Sequence, residues 1–282
     1  MMNVSAVVPV YNSVNTLKRA INSLLIQPEI NEIIIVDDGS TDGSYEMALG
    51  FEESNDLIKV LIHEGRENKG ASAARNLGLK YCKNQWVQFL DADDELLHNK
   101  IGYQLKLVSE NVPFVVGVSK IISRNRNYIR KPFSDIWSGL LFTRLGDTCC
   151  NLWNKSYLNS VNGWNNDLIN SQDYDLIFRL LKLSDNIKFS PVCSTNIYIQ
   201  SNSISTNKNF WIQKQINFIK QRVLVKEFLI LNDNFNTKRN FYFSAYVGTI
   251  YWNYKIDYKV KYSYFLFLLY KIIKSISDRI ND

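Results

Sequence analysis

The 282-residue sequence predicts an α/β fold: a Rossmann-like, mainly parallel sheet flanked by helices, followed by a C-terminal helical appendage. Three observations carry this. Over the first hundred residues, short apolar runs alternate with segments whose apolar residues recur every three or four positions. Two of the apolar runs end in aspartates, Asp37-Asp38 and Asp91-Ala92-Asp93-Asp94. From Phe210 onward the pattern turns helical and rich in Tyr, Phe and Ile, with no glycine after Gly248.

In chain order, Ala6-Val7-Val8-Pro9-Val10 is a strand ending in a Tyr11-Asn12 turn. Leu17, Ala20, Ile21, Leu24 and Leu25 then fall on one face of a helix. Strands over 32–36, 58–62 and 86–90 follow, with helices starting near Thr41-Asp42 and running from Gly70 to about Cys82 between them. Residues 112–118 read as another strand, as do Cys149–Trp153 and Ile187–Ile199. The latter two flank a helix from about Asp173 to Leu183, striped by Leu176, Ile177, Leu180 and Leu181.

In such sheets ligands bind beyond the carboxyl ends of the strands. The rule brings Pro9-Val10-Tyr11-Asn12, Asp37-Asp38 and Asp91-Ala92-Asp93 to one rim. Clustered carboxylates repel one another, so a cation, a hydrogen-bonding ligand or helix N-termini must compensate them. Neither GxGxxG after the first strand nor GxxxxGK[ST] occurs, which disfavours a dinucleotide oxidoreductase or a P-loop enzyme. A phosphorylated ligand held by carboxylates implies a bridging divalent cation.

Composition narrows the class further. With 46% hydrophobic and 21% charged residues the chain is globular. Four cysteines without CxxC spacing read as reduced, buried residues of a cytosolic protein. Two histidines make a His-based zinc site or a Ser-His-Asp triad hard to build, so the chemistry rests on carboxylates. The net charge of +6 points to anionic partners, but nucleic acid is not expected because the strand-end site is acidic. Met1–Ser5 lead into a strand without a basic run, and the apolar stretch from Tyr264 is broken by Lys271. Neither a leader nor a spanning helix is expected, which predicts a soluble or membrane-surface protein, either free in the cytoplasm or peripheral on the inner face of the cell membrane.

Two basic regions stay open to two readings each. Lys120, Arg124, Arg126, Arg130 and Lys131 form either a solvated hairpin or a surface for lipid head groups or an acceptor phosphate. Residues 208–240 hold seven Lys/Arg against Glu227 and Asp233, and form either a packing appendage or a bilayer-facing surface.

An ordered series of motifs resembles glycosyltransferase family 2, the inverting nucleotide-sugar enzymes of GT-A fold. It comprises Val7–Asn12, Val36-Asp37-Asp38-Gly39-Ser40, Asn68-Lys69-Gly70 with Arg75-Asn76-Leu77-Gly78, and Leu90-Asp91-Ala92-Asp93-Asp94. Asn154-Lys155, Gly163-Trp164-Asn165 and Gln172-Asp173-Tyr174-Asp175 continue it. The resemblance implies that Pro9, Tyr11 and Asp38 form the base and ribose pocket, with Asn68, Lys69 and Arg75 on the same side. It makes Asp91-Ala92-Asp93 the DxD element, with Asp93 a ligand of Mn2+ or Mg2+ and Asp91 a contact to ribose or metal. It makes Asp173 the general base, with Asp175 as competitor. The implied donor is a UDP-sugar. The implied acceptor is a glycan or a polyprenyl-diphosphate-linked glycan, in O-antigen, capsule or exopolysaccharide synthesis.

The implied domain covers 1–205, with 1–98 binding nucleotide and 99–205 binding acceptor, and a helical region fills 206–282. Two departures stand out. Gln172 replaces the family's Glu before the base, and Tyr198–Ser205 lacks the Arg or His often directed at the diphosphate. They leave a second expectation, a catalytically inactive nucleotide-sugar or glycan-binding protein. The QxxRW signature of processive synthases is also missing, which predicts addition of a single sugar.

Overall fold

The computed structural model describes residues 2–124, 126–199 and 208–281. Two compact units divide the chain: Met1–Pro132 with Gly146–Leu168 and Arg179–Gln200, and Phe133–Leu145 with Ile169–Phe178 and Ser201–Asp282.

Nine strands among the described residues of the first unit form one sheet. They are β1 (Val4–Val10), β2 (Ile30–Asp37), β3 (Ile58–Ile62), β4 (Trp86–Phe89), β5 (Glu95–Leu96), β6 (Phe114–Ile122), β7 (Tyr128–Arg130), β8 (Leu152–Asn154) and β9 (Lys188–Tyr198). The spatial order is β3-β2-β1-β4-β8-β6-β9-β5, with β7 beside β6. Neighbours from β3 to β4 are parallel, as expected; β8, β5 and β7 pair antiparallel, and β6 with β9 parallel.

Parallel neighbours need crossovers, supplied by α1 (Leu17–Leu25), α2 (Ser44–Ser54) and α3 (Ala71–Tyr81). α1 buries Leu17, Ala20, Ile21 and Leu24 of the stripe read from the sequence and leaves Leu25 half-buried. The β1 and β2 interiors are nearly continuous buried Val, Ile and Ala, as a sheet covered on both faces requires. The short helices α4 (Lys100–Leu105) and α6 (Lys155–Ser160) complete the unit's own helices.

In three places the elements shift from the sequence reading. α2 starts at Ser44 because Asp42 accepts from the Ser44 backbone N at 3.0 Å and its hydroxyl at 2.5 Å, making Thr41-Asp42 a turn before the helix. The strand expected at Cys149–Trp153 begins only at Leu152, since the Cys150 and Asn151 N–H groups turn back onto Asp147 O. β6 runs on to Ile122 and pairs with β7, so the basic stretch after Lys120 is a hairpin, with Arg130 bonded to Asp147 at 2.8 Å.

The second unit is helical among its described residues. α5 (Ile136–Leu141) is capped by Asp135, whose carboxylate accepts from Ser138 N at 2.7 Å and pairs with Arg239 at 3.1 Å. α7 (Gln172–Leu183) gives this unit its first two turns. α8 (Lys208–Leu231), α9 (Thr237–Tyr254) and α10 (Tyr264–Asn281) supply the expected C-terminal helices. Rings of Phe133, Phe142, Tyr242 and Tyr246 pack around one another, with centroids 4.8 to 6.1 Å apart. Arg222 of α8 is 1% exposed and lies over the rings of Tyr174, Phe218 and Tyr246. The expected boundary at residues 205 and 206 lies outside the described residues.

Candidate active site

Parallel register sets the rim. Val10 lies opposite Asp37, and Val7 opposite Phe89, so β1, β2 and β4 release their chains on the same side. Asp38 N continues the ladder to Val10 O, and Leu90 N to Val7 O. The two aspartate clusters therefore share one edge of one sheet.

Each aspartate there has different surroundings. Asp37 is fully buried, and its Oδ2 accepts from Gly39 N and Ser40 N at 3.2 and 3.1 Å. Its Oδ1 is buried without a protein partner. Gly39 has φ +81°, and a Cβ there would stand 2.6 Å from Arg66 O, so only glycine fits this turn. Asp38, 3% exposed, accepts from Lys69 N and Gly70 N, both at 2.8 Å, and faces His63 Nε2 at 3.4 Å. Asp38 thus ties residues 63–70 to the end of β2.

The turn after β1 is stitched to the one after β2. Asn12, at φ +50°, accepts from Thr41 N at 2.8 Å, and its own N–H donates to the Ser40 hydroxyl at 3.1 Å. Tyr11 is left 41% exposed above the rim, and Pro9 sits in β1 opposite Val36. Asn68 and Lys69 are exposed on the loop that Asp38 holds.

Beyond β4, Asp91 and Asp94 close a turn through Asp94 N to Asp91 O at 3.0 Å. Arg75 of α3 donates to Asp91 Oδ1 at 2.5 Å and lies over the Trp164 ring. Burial, and then the neighbouring Asp91, raise the Asp93 carboxyl above the ordinary range. Burial together with Asp91 and Asp93 pushes Asp94 up to about 8, although it accepts from Cys149 Sγ and Tyr198 N. Asp91 and Asp93 thus offer hard oxygen donors on a turn where three carboxylates stand close together, the chemistry that suits Mg2+ or Mn2+. Among the described residues, no group of three or more His, Cys, Asp and Glu gathers closely enough to hold a metal by itself. The donor set fits a cation that a diphosphate would help to ligate.

Sequence reasoning gave no role to several residues at this site. Arg19 of α1 donates to Asp93 O and lies 3.8 Å from the Tyr198 ring centroid, placing a cation behind the acidic turn. Its position two residues after Leu17 gave no signal. Asn76 brackets Trp164, accepting from its N–H and donating to its carbonyl, both at 2.8 Å. Gly163, φ +63°, leaves room for that Asn76 side chain, since a Cβ would stand 2.4 Å from Asn76 Oδ1. Lys100, fully buried, donates to Gln88 Oε1 and Asn151 O beneath the turn, and burial lowers it to about 7.

Asp173 belongs to the second unit, in the first turn of α7. Ser171, φ +63°, precedes it, and Asp175 N closes the turn onto Ser171 O at 3.0 Å. Asp175 accepts from Gln221 of α8 at 3.4 Å, and so is turned toward α8. The Tyr198–Ser205 segment lies outside the described residues from Gln200 onward.

A family model described as glycosyl transferase family 2 matches residues 5–186, which takes in the whole of α7 and every strand of the sheet but β9. The chain belongs to glycosyltransferase family 2. One relative is UDP-Glc:alpha-D-GlcNAc-diphosphoundecaprenol beta-1,3-glucosyltransferase WfgD of Escherichia coli, 33% identical over 75% of this chain and 83% of WfgD. An uncharacterised glycosyltransferase of Rickettsia conorii is 37% identical over 52% of this chain, which spans 24% of that relative's length. Among solved structures, Staphylococcus aureus TarS 1-349 in complex with UDP superposes with TM-score 0.65 at 17% identity, over 90% of this chain and 73% of TarS. GalNAc-T7 with UDP, GalNAc and Mn2+ gives TM-score 0.62 at 17% identity, over 87% of this chain and 50% of that one. The family 2 chain has the GT-A fold.

Proposed function

We propose that this family 2 protein transfers one sugar from a UDP-sugar to a lipid-linked glycan, with inversion, in bacterial cell-surface polysaccharide synthesis. The observation that carries this reading is the rim itself, where the Asp38-held loop and the Arg75-braced Asp91-Ala92-Asp93 turn share one strand edge. WfgD, named for a UDP-glucose donor and a diphosphoundecaprenol acceptor, supports the substrate classes. Pro9, Tyr11 and Asp38, with Asn68, Lys69 and Arg75, bind the nucleotide in this reading, within residues 1–98. Residues 99–205 form the acceptor half.

Asp91 and Asp93 would hold Mn2+ or Mg2+, which when bound offsets the charge gathering on the departing diphosphate. Asp173 takes the proton of the acceptor hydroxyl as its oxygen bonds to the anomeric carbon and the bond to UDP breaks, the electron pair leaving with UDP. Inversion needs base and leaving group on opposite faces of the sugar, which is why the base is a carboxylate separate from the DxD pair.

The test is UDP release by the purified chain with Mn2+, a panel of UDP-sugars and a diphosphoprenyl-linked GlcNAc. Asp93→Ala and Asp173→Asn should each lower turnover by at least about a hundredfold. Undiminished release in Asp93→Ala would remove the metal assignment. Gln172 favours a second reading, a nucleotide-sugar or glycan-binding protein without turnover. Calorimetric UDP binding with no release over the whole acceptor panel would select it.

A further inference from the structure

Helix α10 carries two apolar stripes. One packs within its unit: Phe267 is 1% exposed against Gly248 of α9, with Ser263, Leu266 and Tyr270 half-buried on the same side. The other comprises Phe265, Leu268, Leu269, Ile272, Ile273 and Ile276, which recur at spacings of three and four and are all exposed, Phe265 at 73%. Packing accounts for the first stripe only. A second apolar row on the opposite side marks a surface that something covers.

The charge around the row says what. Residues 252–277 hold Lys255, Lys259, Lys261, Lys271 and Lys274 against Asp257 alone, and all five lysines are exposed. From Lys271 to Ser277 every residue is exposed, and Lys271 and Lys274 continue the packed side while Ile272, Ile273 and Ile276 continue the apolar one. This last stretch is amphipathic, with lysine stems long enough to carry their ammonium groups past the apolar edge. Trp252 of α9, 57% exposed, lies under Lys271 with Nζ 4.7 Å from the ring centroid, adding an aromatic of the kind that settles at a membrane-water boundary. Two copies of this chain meeting through the row would bring their uncompensated lysines together, whereas an anionic lipid surface neutralises them. Among the described residues no helix is long and apolar enough to cross a membrane, so the row would lie along a bilayer rather than through it.

We propose that the exposed face of α10, with Trp252 and the flanking lysines, docks on the surface of an anionic phospholipid bilayer. This rests on neither the donor nor the base assignment, and binding can be read without turnover.

The full chain is sedimented with vesicles of phosphatidylcholine alone and of phosphatidylcholine mixed with phosphatidylglycerol. Binding to the mixed vesicles, weakened by salt, is expected. Phe265→Glu/Ile272→Glu should lower the partition coefficient at least about tenfold, and Lys271→Gln/Lys274→Gln should lower it by a smaller factor only on anionic vesicles. Because these side chains are exposed, the variants should keep the wild-type circular dichroism and melting temperature. Lack of wild-type binding at low salt would overturn the proposal, as would equal binding by the glutamate variant. So would concentration-dependent dimerisation that the glutamate variant abolishes, with no vesicle binding, since that would assign the face to a second copy.

Discussion

Asp38 separates two roles that one carboxylate can combine. Both of its oxygens accept backbone hydrogen bonds from the far end of the 63–70 loop, so its first effect is to hold that loop. Asp38→Ala should therefore speed amide exchange at Lys69 and Gly70 by at least about tenfold while exchange in β1 and β2 is unchanged, as peptide-resolved exchange would report. Lys100 is a second residue whose chemistry is readable apart from any substrate. Burial lowers its folded-state value to about 7 against the ordinary lysine value of 10.5, so the unfolded chain binds more protons between those limits. The contribution of Lys100 to stability therefore rises with pH through that window and is lowest below it. Between pH 7 and pH 9 the gain is on the order of 2 kcal/mol, at about 1.4 kcal/mol per pH unit. Urea midpoints for wild type and Lys100→Met at the two values isolate it. The wild type should gain on the variant as pH rises, and a constant difference would mean that Lys100 is not charged in the unfolded chain alone.

At the scale of elements, the Gly163-Trp164-Asn165 motif is explained by what it docks on. Asn76 of α3 makes two 2.8 Å bonds with the Trp164 backbone and a third, at 2.9 Å, with Asn166 Oδ1. Arg179 of α7 donates to the Val161 and Gly163 carbonyls at 2.6 and 2.8 Å. Two helices thus hold one turn, and Trp164 carries the result to Arg75 and so to Asp91. Asn76→Ala should cost about 2–3 kcal/mol in chemical denaturation, because it strands the buried Trp164 N–H. The same elements show what the sequence makes legible. β1, β2 and β4 were readable because buried parallel strands leave mainly apolar runs, broken in β4 only by Gln88, and the register then joins Asp38 with Asp91 on one edge. The two-residue β5 and the six-residue α4 are too short for any period to register. Arg19 and Lys100 were hidden for another reason. A cation beside an acidic turn, or buried beneath it, is set by which helix crosses which strand, and helical periodicity reads Arg19 as a polar position and Lys100 as ordinary.

For the molecule as a whole, the proposed function makes the Asp91-Ala92-Asp93 turn a place where two ligands couple. Two carboxylates supply too few oxygens for a hard cation, and among the described residues no third ligating side chain joins them, so a cation alone should bind weakly, and a diphosphate alone would meet like charge. Together they neutralise the turn, and each raises the affinity for the other by the same factor. A ligand held at about a hundred times its dissociation constant stabilises a protein by about 2.7 kcal/mol, or on the order of 5 °C in melting temperature for a chain of this size. UDP and Mn2+ added together should therefore raise the melting temperature of the wild type by more than the sum of their separate shifts. Asp93→Asn, which keeps the shape of the side chain and removes its charge, should return the combined shift to that sum. If the excess survived in Asp93→Asn, the cation would be held by other oxygens of the rim, with the Oδ1 of Asp37 the first to examine because it is buried without a protein partner.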